Sequence, residues 1–324
     1  MNIGEVFDLV SDDLKKVEAE LSKNVISQVP LIPKVGDYIL KSGGKRFRPM
    51  ILILAARLCG YTGIQHIFVA SIFEFIHTAT LLHDDVIDKA EVRRGASSVN
   101  SLWGNETSVL MGDYFFSKSF SLMMRVGDLK VMKILSDATT SLAEGEIMEL
   151  MKCKDPYISE KDYISIITMK TAALISAACR VGAVLGNAAH EEEEALKGFG
   201  LNLGVAFQLI DDMLDYISNE KEFGKTIGKD LCEGKITLPL IYTLKVCSPS
   251  DREKIIRVIE IDEQEQQDVF AVIDLVKYYK GPEHTFERAK DYIKKARGCL
   301  RGFDFLKEKQ ALLATADYVI ERKW

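Results

Sequence analysis

The sequence predicts an all-α fold. Apolar residues recur at helical spacing along most of the chain, and few segments alternate with the period of a strand. The seven prolines fall mostly near the ends of the helical stretches. With 324 residues, 47% of them hydrophobic and 28% charged, the chain has an ordinary globular composition and can bury a large core. It shows no linker, low-complexity tract or repeat of fixed period, so one domain is expected over residues 1–324.

Residues 5–25 read as an amphipathic helix, with Val6, Leu9, Val10, Leu14 and Val17 on one side. The prolines of SQVPLIPKVG break it, and a short helix over 35–41 stops at Gly43 and Gly44. Pro49 suits the first turn of the next helix, which ends at Gly60. Residues 64–90 form one long helix, 91–105 a loop, and two further helices follow through 151. One or two helices cover 155–186. The stretch 190–218 is another long helix, with Glu191 to Glu194 where a helix N-terminus favours negative charge. A lysine-rich and glycine-rich loop reaches residue 239, and helices over 238–248 and 251–324 break near Gly281–Pro282.

A net charge of −6 gives no basic face for nucleic acid. The six cysteines form no CxxC pair and read as reduced core residues of a cytoplasmic protein. The acidic, amphipathic N-terminus fits neither a signal nor a transit peptide. No uncharged run reaches spanning length, so no transmembrane segment is expected.

Chemistry concentrates in two acidic clusters. Asp84, Asp85 and Asp88 stand at i, i+1 and i+4, at the end of the apolar run FEFIHTATLL. On a helix Asp84 and Asp88 stack about 6 Å apart and repel by roughly 3 kcal/mol at an effective dielectric near 20. A hard, oxygen-seeking cation such as magnesium removes that repulsion. Alone, such a cluster reads as a solvated helix end. Asp211, Asp212 and Asp215 repeat the spacing, again at the end of a long apolar helix and again before a basic loop. Two such ends facing one space require metals and a polyanion, and a diphosphate bridged by magnesium meets that need. Cations stand beside them at glycine-rich turns: Lys45, Arg46 and Arg48, then Arg93 and Arg94, then Lys225, Lys229 and Lys235. Any single one is ordinarily surface charge. Their positions suggest two phosphate subsites, one bridged by metal and one held by basic side chains.

GGKRFRP (43–49), HTATLLHDDVIDKAEVRRG (77–95), MKTAAL (169–174), AFQLIDDMLDY (206–216) and GKTIGKDLCEGKITLP (224–239) stand in order along the chain. With them the chain resembles the trans-prenyl diphosphate synthases of the polyprenyl synthetase family, and HTATLLHDD resembles its octaprenyl-forming type. The resemblance implies a single bundle of long helices around a central cavity. It implies that Lys45, Arg48, His77 and Arg94 hold isopentenyl diphosphate, and that Arg93, Lys170, Lys225 and Lys235 hold the allylic diphosphate. Asp84, Asp88 and Asp211 would ligate magnesium directly, three ions with substrate bound, and Asp85, Asp212 and Asp215 would ligate or support. Lys170, Thr171 and Gln208 would act at the reacting carbons. His77 tempts assignment as a general base, yet the departed diphosphate can take the proton, and substrate binding is preferred. A homodimer is implied as well. Contact with a membrane surface would suit a lipid product, though no basic amphipathic helix supports it.

Ala79 and Thr80 lie one helical turn before Asp84, toward the cavity floor. Small residues there let a tail grow, although they also simply permit helix packing. The expectation is a C30–C50 product, best C40 from farnesyl diphosphate, with Met123 among the bulky residues that set the stop, together with Phe75, Ile76, Met124 and Leu135. The competing readings are a short-chain synthase, a cyclase or head-to-head synthase, a non-catalytic subunit of a two-chain enzyme, and a metal phosphohydrolase suggested by His83–Asp84.

Overall fold

Asn2 and Glu5 start the first helix by capping each other. The Asn2 side chain accepts from the Glu5 amide at 3.0 Å, and the Glu5 carboxylate accepts from the Asn2 amide at 2.9 Å. The computed structural model describes residues 1–217, 227–261 and 264–321, and in it this helix, α1, spans Ile3–Asn24. The second helix, α2, spans Leu31–Lys41 and so begins four residues before the expected start at 35. Pro33 falls in its first turn, where amides have no helical acceptor and a missing N–H is harmless. Pro49 occupies the same kind of position in α3 (Phe47–Leu58). The long helix α4 (Gln65–Ile87) carries Asp84 and Asp85 in its last turn, with Asp88 as its C-cap.

The expected loop at 91–105 holds a tiny antiparallel hairpin, β1 (Val92–Arg93) with β2 (Ala96–Ser97), and the short helix α5 (Val99–Trp103). The helices α6 (Asn105–Val126), α7 (Leu129–Lys152) and α8 (Glu160–Ile167) follow. A π-helical turn at Thr168–Ala172 leads into α9 (Ala173–Leu185) and then α10 (His190–Ile217). Beyond these lie α11 (Lys229–Cys232), α12 (Leu238–Val246), α13 (Pro249–Glu260), α14 (Gln266–Tyr278), α15 (Gly281–Cys299) and α16 (Lys307–Glu321).

The chain divides into two compact units. The first comprises Met1–Thr139, Ala177–Lys197 and Gly302–Ala314. Its axis is α4, apolar nearly all round, with Ile72, Phe73, Phe75, Ile76 and Ala79 all at most 1% exposed. Burial of each large side chain contributes about 1.5–3 kcal/mol. It packs against α1, α3 and, most extensively, α6. Small residues on α6 admit the close approach: Ser108 donates to the Leu82 carbonyl at 2.9 Å, and a Cβ on Gly112 would meet the His83 ring at 2.3 Å. Glu193 is buried in this unit and accepts from Lys130 and Arg180, so one member of the glutamate run anchors a helix.

The second unit comprises Thr140–Ser176, Gly198–Arg301 and the residues from Thr315. Within it α12 packs on α15. Two glycines grip the π-helical turn. A Cβ on Gly145 would stand 2.8 Å from the Lys170 amide nitrogen, and one on Gly204 would stand 2.5 Å from Ala172 Cα.

Two helical segments, Gln65–Ile87 and residues 160–185, are long and apolar enough to cross a membrane by length and composition. Most of the apolar window of each (67% and 56%) is buried inside the protein, the behaviour of core helices. All six cysteines are free thiols. Cys179 and Cys247 are buried, but Cys232 is exposed on α11, contrary to its reading as a core residue.

Candidate active site

In the first unit, four arginines converge on one histidine. Arg46, Arg93, Arg94 and His77 line a cavity together with Glu74 and Asp85. Burial holds the His77 imidazole well below its usual pKa, and Arg48, Arg94, Arg93 and Arg46 push it the same way. His77 is therefore neutral at physiological pH and offers a hydrogen bond without charge. Burial also lowers Arg48, to about 10, with Arg94 adding to the fall and Glu74 opposing it, so Arg48 stays cationic. Its Nε is buried without a hydrogen-bond partner, a donor suited to an anion.

Local backbone sets this cluster. Gly44 lies against Arg94: a Cβ there would come within 2.7 Å of Nη1, so any side chain at this position would shift the guanidinium from its place. Arg94 itself has φ +52° and donates to the Gly43 carbonyl. Arg46 pairs with buried Glu74 at 3.0 Å. Arg93 pairs with buried Asp85, Nε to Oδ1 at 2.6 Å. Of the residues expected around isopentenyl diphosphate, His77 and Arg94 line the cavity, Arg48 acts on both electrostatically, and Lys45 is exposed. Glu74 was missed. Its signal was a lone acid in the apolar run SIFEFIHT, one turn before His77.

Asp84 and Asp88 are half-exposed at the C-terminal end of α4, where the helix dipole adds negative potential. In the second unit Asp211 is likewise half-exposed, while Asp212 is buried. Both Asp212 oxygens are engaged: Oδ2 accepts from the Tyr163 hydroxyl at 2.5 Å and Oδ1 from Gln208 Nε2 at 2.7 Å. Burial raises its pKa, Tyr163 and Gln208 oppose the rise, and Asp211 and Glu149 add to it. Asp215 accepts from the Lys229 and Asp230 amides at 3.2 and 3.0 Å and so caps α11. Lys235 pairs with Glu233 at 2.8 Å, and Lys225 lies outside the described residues.

The π-helical turn presents Lys170 and Thr171. Lys170 Nζ is held by Glu146 at 2.8 Å and Glu149 at 2.5 Å. Thr171 Oγ1 donates to Gln208 Oε1 at 2.8 Å. Tyr163, Glu146 and Glu149 had no motif to mark them. The i, i+3 glutamates of EGEIMEL were the one available hint.

Among the described residues, no group of three or more His, Cys, Asp or Glu side chains is gathered to hold a metal unaided. Magnesium does not need such a cage, because it keeps several waters and is bound by one or two carboxylates together with substrate phosphates. The half-exposed oxygen donors of Asp84, Asp88 and Asp211 fit that mode.

The sequence model described as polyprenyl synthetase matches residues 29–276. The chain belongs to the polyprenyl synthetase family. An octaprenyl diphosphate synthase of Escherichia coli (strain K12) is 39% identical over 322 residues, 99% of each chain. The crystal structure of a decaprenyl diphosphate synthase from Rhodobacter capsulatus matches with a TM-score of 0.94 at 40% identity, covering 99% of both chains. That of a polyprenyl synthase from Caulobacter crescentus CB15, complexed with calcium and isoprenyl diphosphate, matches with a TM-score of 0.96 at 37% identity, covering 100% of this chain and 98% of that one. As a polyprenyl synthetase the chain is a prenyltransferase with the all-α isoprenoid synthase fold. The family is in general magnesium-dependent and takes isopentenyl diphosphate and an allylic diphosphate as substrates.

Proposed function

We propose that this polyprenyl synthetase is a long-chain all-trans synthase that adds isopentenyl units to farnesyl diphosphate and stops at C40. The observation that carries the chemistry is the cavity that Arg46, Arg93 and Arg94 line around neutral His77, with Arg48 adding its field, which asks for a diphosphate. Arg48, Arg94 and His77, with Lys45 from the adjoining turn, hold isopentenyl diphosphate there. Lys170, Arg93, Lys225 and Lys235 hold the allylic diphosphate, and Thr171 and Gln208 face the reacting carbons. Asp84 and Asp88 of the first unit and Asp211 of the second would each offer oxygen ligands to magnesium, three ions being expected with substrate bound. Asp85, Asp212 and Asp215 hold the surrounding protein groups. Bound magnesium neutralises and orients the leaving diphosphate.

The carbon–oxygen bond of the allylic diphosphate breaks, and its electron pair leaves with the diphosphate. The double bond of isopentenyl diphosphate supplies the pair for the new carbon–carbon bond. The resulting cation loses a proton to the departed diphosphate, so no side chain serves as base. Thr171 and Gln208 provide oxygen dipoles beside the cation without a nucleophile strong enough to trap it.

Chain length rests on Ala79 and Thr80. Ala79 is fully buried, and the Thr80 hydroxyl donates to the His77 carbonyl at 2.8 Å. One turn below, Phe75 meets Phe115 at a centroid separation of 5.5 Å, and Met123 is buried farther along α6. Met124 is 67% exposed, which removes it as a stop. Val109, Leu110, Phe120 and Met124 are exposed on α6 within an arc of about 100° at helical geometry, but exposed Asp113 and Ser117 share that arc, so the homodimer rests on the family resemblance alone. Activity of the lone purified chain separates this reading from a non-catalytic subunit. Asp84→Ala and Asp211→Ala each abolish turnover while leaving the helical circular dichroism intact. Near-normal activity in either overturns the assignment.

A further inference from the structure

Tyr163, Asp212, Gln208 and Thr171 form one hydrogen-bonded chain inside the second unit. The Tyr163 hydroxyl donates to Asp212 Oδ2 at 2.5 Å, Gln208 Nε2 donates to Asp212 Oδ1 at 2.7 Å, and Thr171 Oγ1 donates to Gln208 Oε1 at 2.8 Å. Every proton in the chain points toward the carboxylate. With Asp212 as a carboxylate the amide of Gln208 has one consistent orientation, its nitrogen toward Asp212 and its oxygen toward Thr171. The Thr171 proton is thereby committed to Gln208, and its remaining lone pairs are its only polar offering elsewhere. Tyr163 is 3% exposed and Asp212 5%, so water does not compete for either end. Burial and Asp212 together raise the Tyr163 pKa well above its usual value, so the phenol remains a donor.

We propose that Tyr163 is a positioning residue that, through Asp212, fixes the polarity of Gln208 and so makes the Thr171 oxygen an obligatory electron-pair donor toward an electron-deficient carbon. This rests on the prenyltransferase reading above, in which Thr171 and Gln208 face the reacting carbons. The π-helical turn supports the arrangement. It shifts the register of the helix by one residue just where Thr171 must meet Gln208 across from α10. Without Tyr163, Asp212 keeps one fixed partner, and Gln208 and Thr171 gain alternative hydrogen-bond orientations in which the threonine proton points at the substrate.

The test is the single-turnover rate of the first condensation with saturating farnesyl diphosphate, measured for the wild type, Tyr163→Phe, Thr171→Val and the double variant. Tyr163→Phe is expected to lower the rate about tenfold, the size of one hydrogen bond to a charged group, with KM for isopentenyl diphosphate unchanged. On the Thr171→Val background the same change should do almost nothing, because the group it positions is already gone. A wild-type rate in Tyr163→Phe, or an undiminished tenfold loss on the Thr171→Val background, overturns the proposal. If Tyr163→Phe does not yield folded protein, Asp212→Asn decides: it keeps the volume and turns one acceptor into a donor, so it must also slow the step, and a normal rate overturns the proposal. Wild-type turnover in the same assay tests the function itself, so the two failures are distinguishable.

Discussion

The guanidinium of Arg94 occupies the space that a side chain on Gly44 would need, with Nη1 only 2.7 Å from where a Cβ would stand. The glycine pair of the basic loop thus makes room for an arginine from the turn after the first acidic cluster. Gly44→Ala should displace Arg94 and raise KM for isopentenyl diphosphate about tenfold, a loss of one charge-assisted contact, with a smaller change in kcat. Steady-state kinetics at saturating allylic substrate reads this directly. An unchanged KM would mean that Arg94 does not hold that substrate.

Asp84 and Asp85 are neighbours in sequence but not in role. Asp85 is 2% exposed and bonded to Arg93, whereas Asp84 is half-exposed. Asp85→Ala should lower stability by about 1–2 kcal/mol through the lost charged hydrogen bond. Asp84→Ala should leave stability nearly unchanged and remove activity. Thermal unfolding of the two variants beside turnover separates these effects, and equal unfolding midpoints would refute the division of labour.

Asp13 ties α1 to α3 and α4. It pairs with Arg57 at 2.7 Å, His66 at 2.8 Å and Lys16 at 3.1 Å. Burial alone would raise its pKa, but hydrogen bonds from His66, Lys16 and Arg57 outweigh burial and lower it from 3.8 to about 2. A depressed carboxylate stabilises the fold above its unfolded pKa, and that stability is lost as pH falls through the folded value. Asp13→Asn should therefore cost on the order of 2 kcal/mol at pH 7 and only about 0.4 kcal/mol at pH 2. Denaturant unfolding at the two pH values checks the sign, and an equal deficit at both would refute it.

Ala79 is fully buried one turn before Asp84, above the Phe75–Phe115 contact. Ala79→Phe should shorten the product by blocking the tail's path, each lost helical turn of depth removing about 5.4 Å. Chromatography of the dephosphorylated products gives the distribution. An unchanged distribution would place the path elsewhere.

The two acidic clusters, the basic turns and the all-α class were legible because each is local: a spacing, a glycine pair, a helical period. What supports them was not. The π-helical turn beneath Lys170 and Thr171 depends on Gly145 and Gly204 from two other helices, and one inserted residue leaves no trace in a hydrophobic period. Tyr163 reaches Asp212 across 49 residues of sequence, and Glu74 reaches Arg46 across 28. Such partners are chosen by packing, not by neighbours along the chain. The hairpin at 92–97 escaped because two-residue strands carry too few side chains to show alternation.

The central claim is that this chain joins isopentenyl units to an allylic primer and carries the product to long-chain length. Purified protein with magnesium, farnesyl diphosphate and labelled isopentenyl diphosphate tests it most directly, with the product dephosphorylated and sized. Labelled all-trans product ending at C40 is expected, and none after magnesium is chelated. A C15 or C20 end point would contradict the long-chain assignment, and phosphate release without a new carbon–carbon bond would contradict the function.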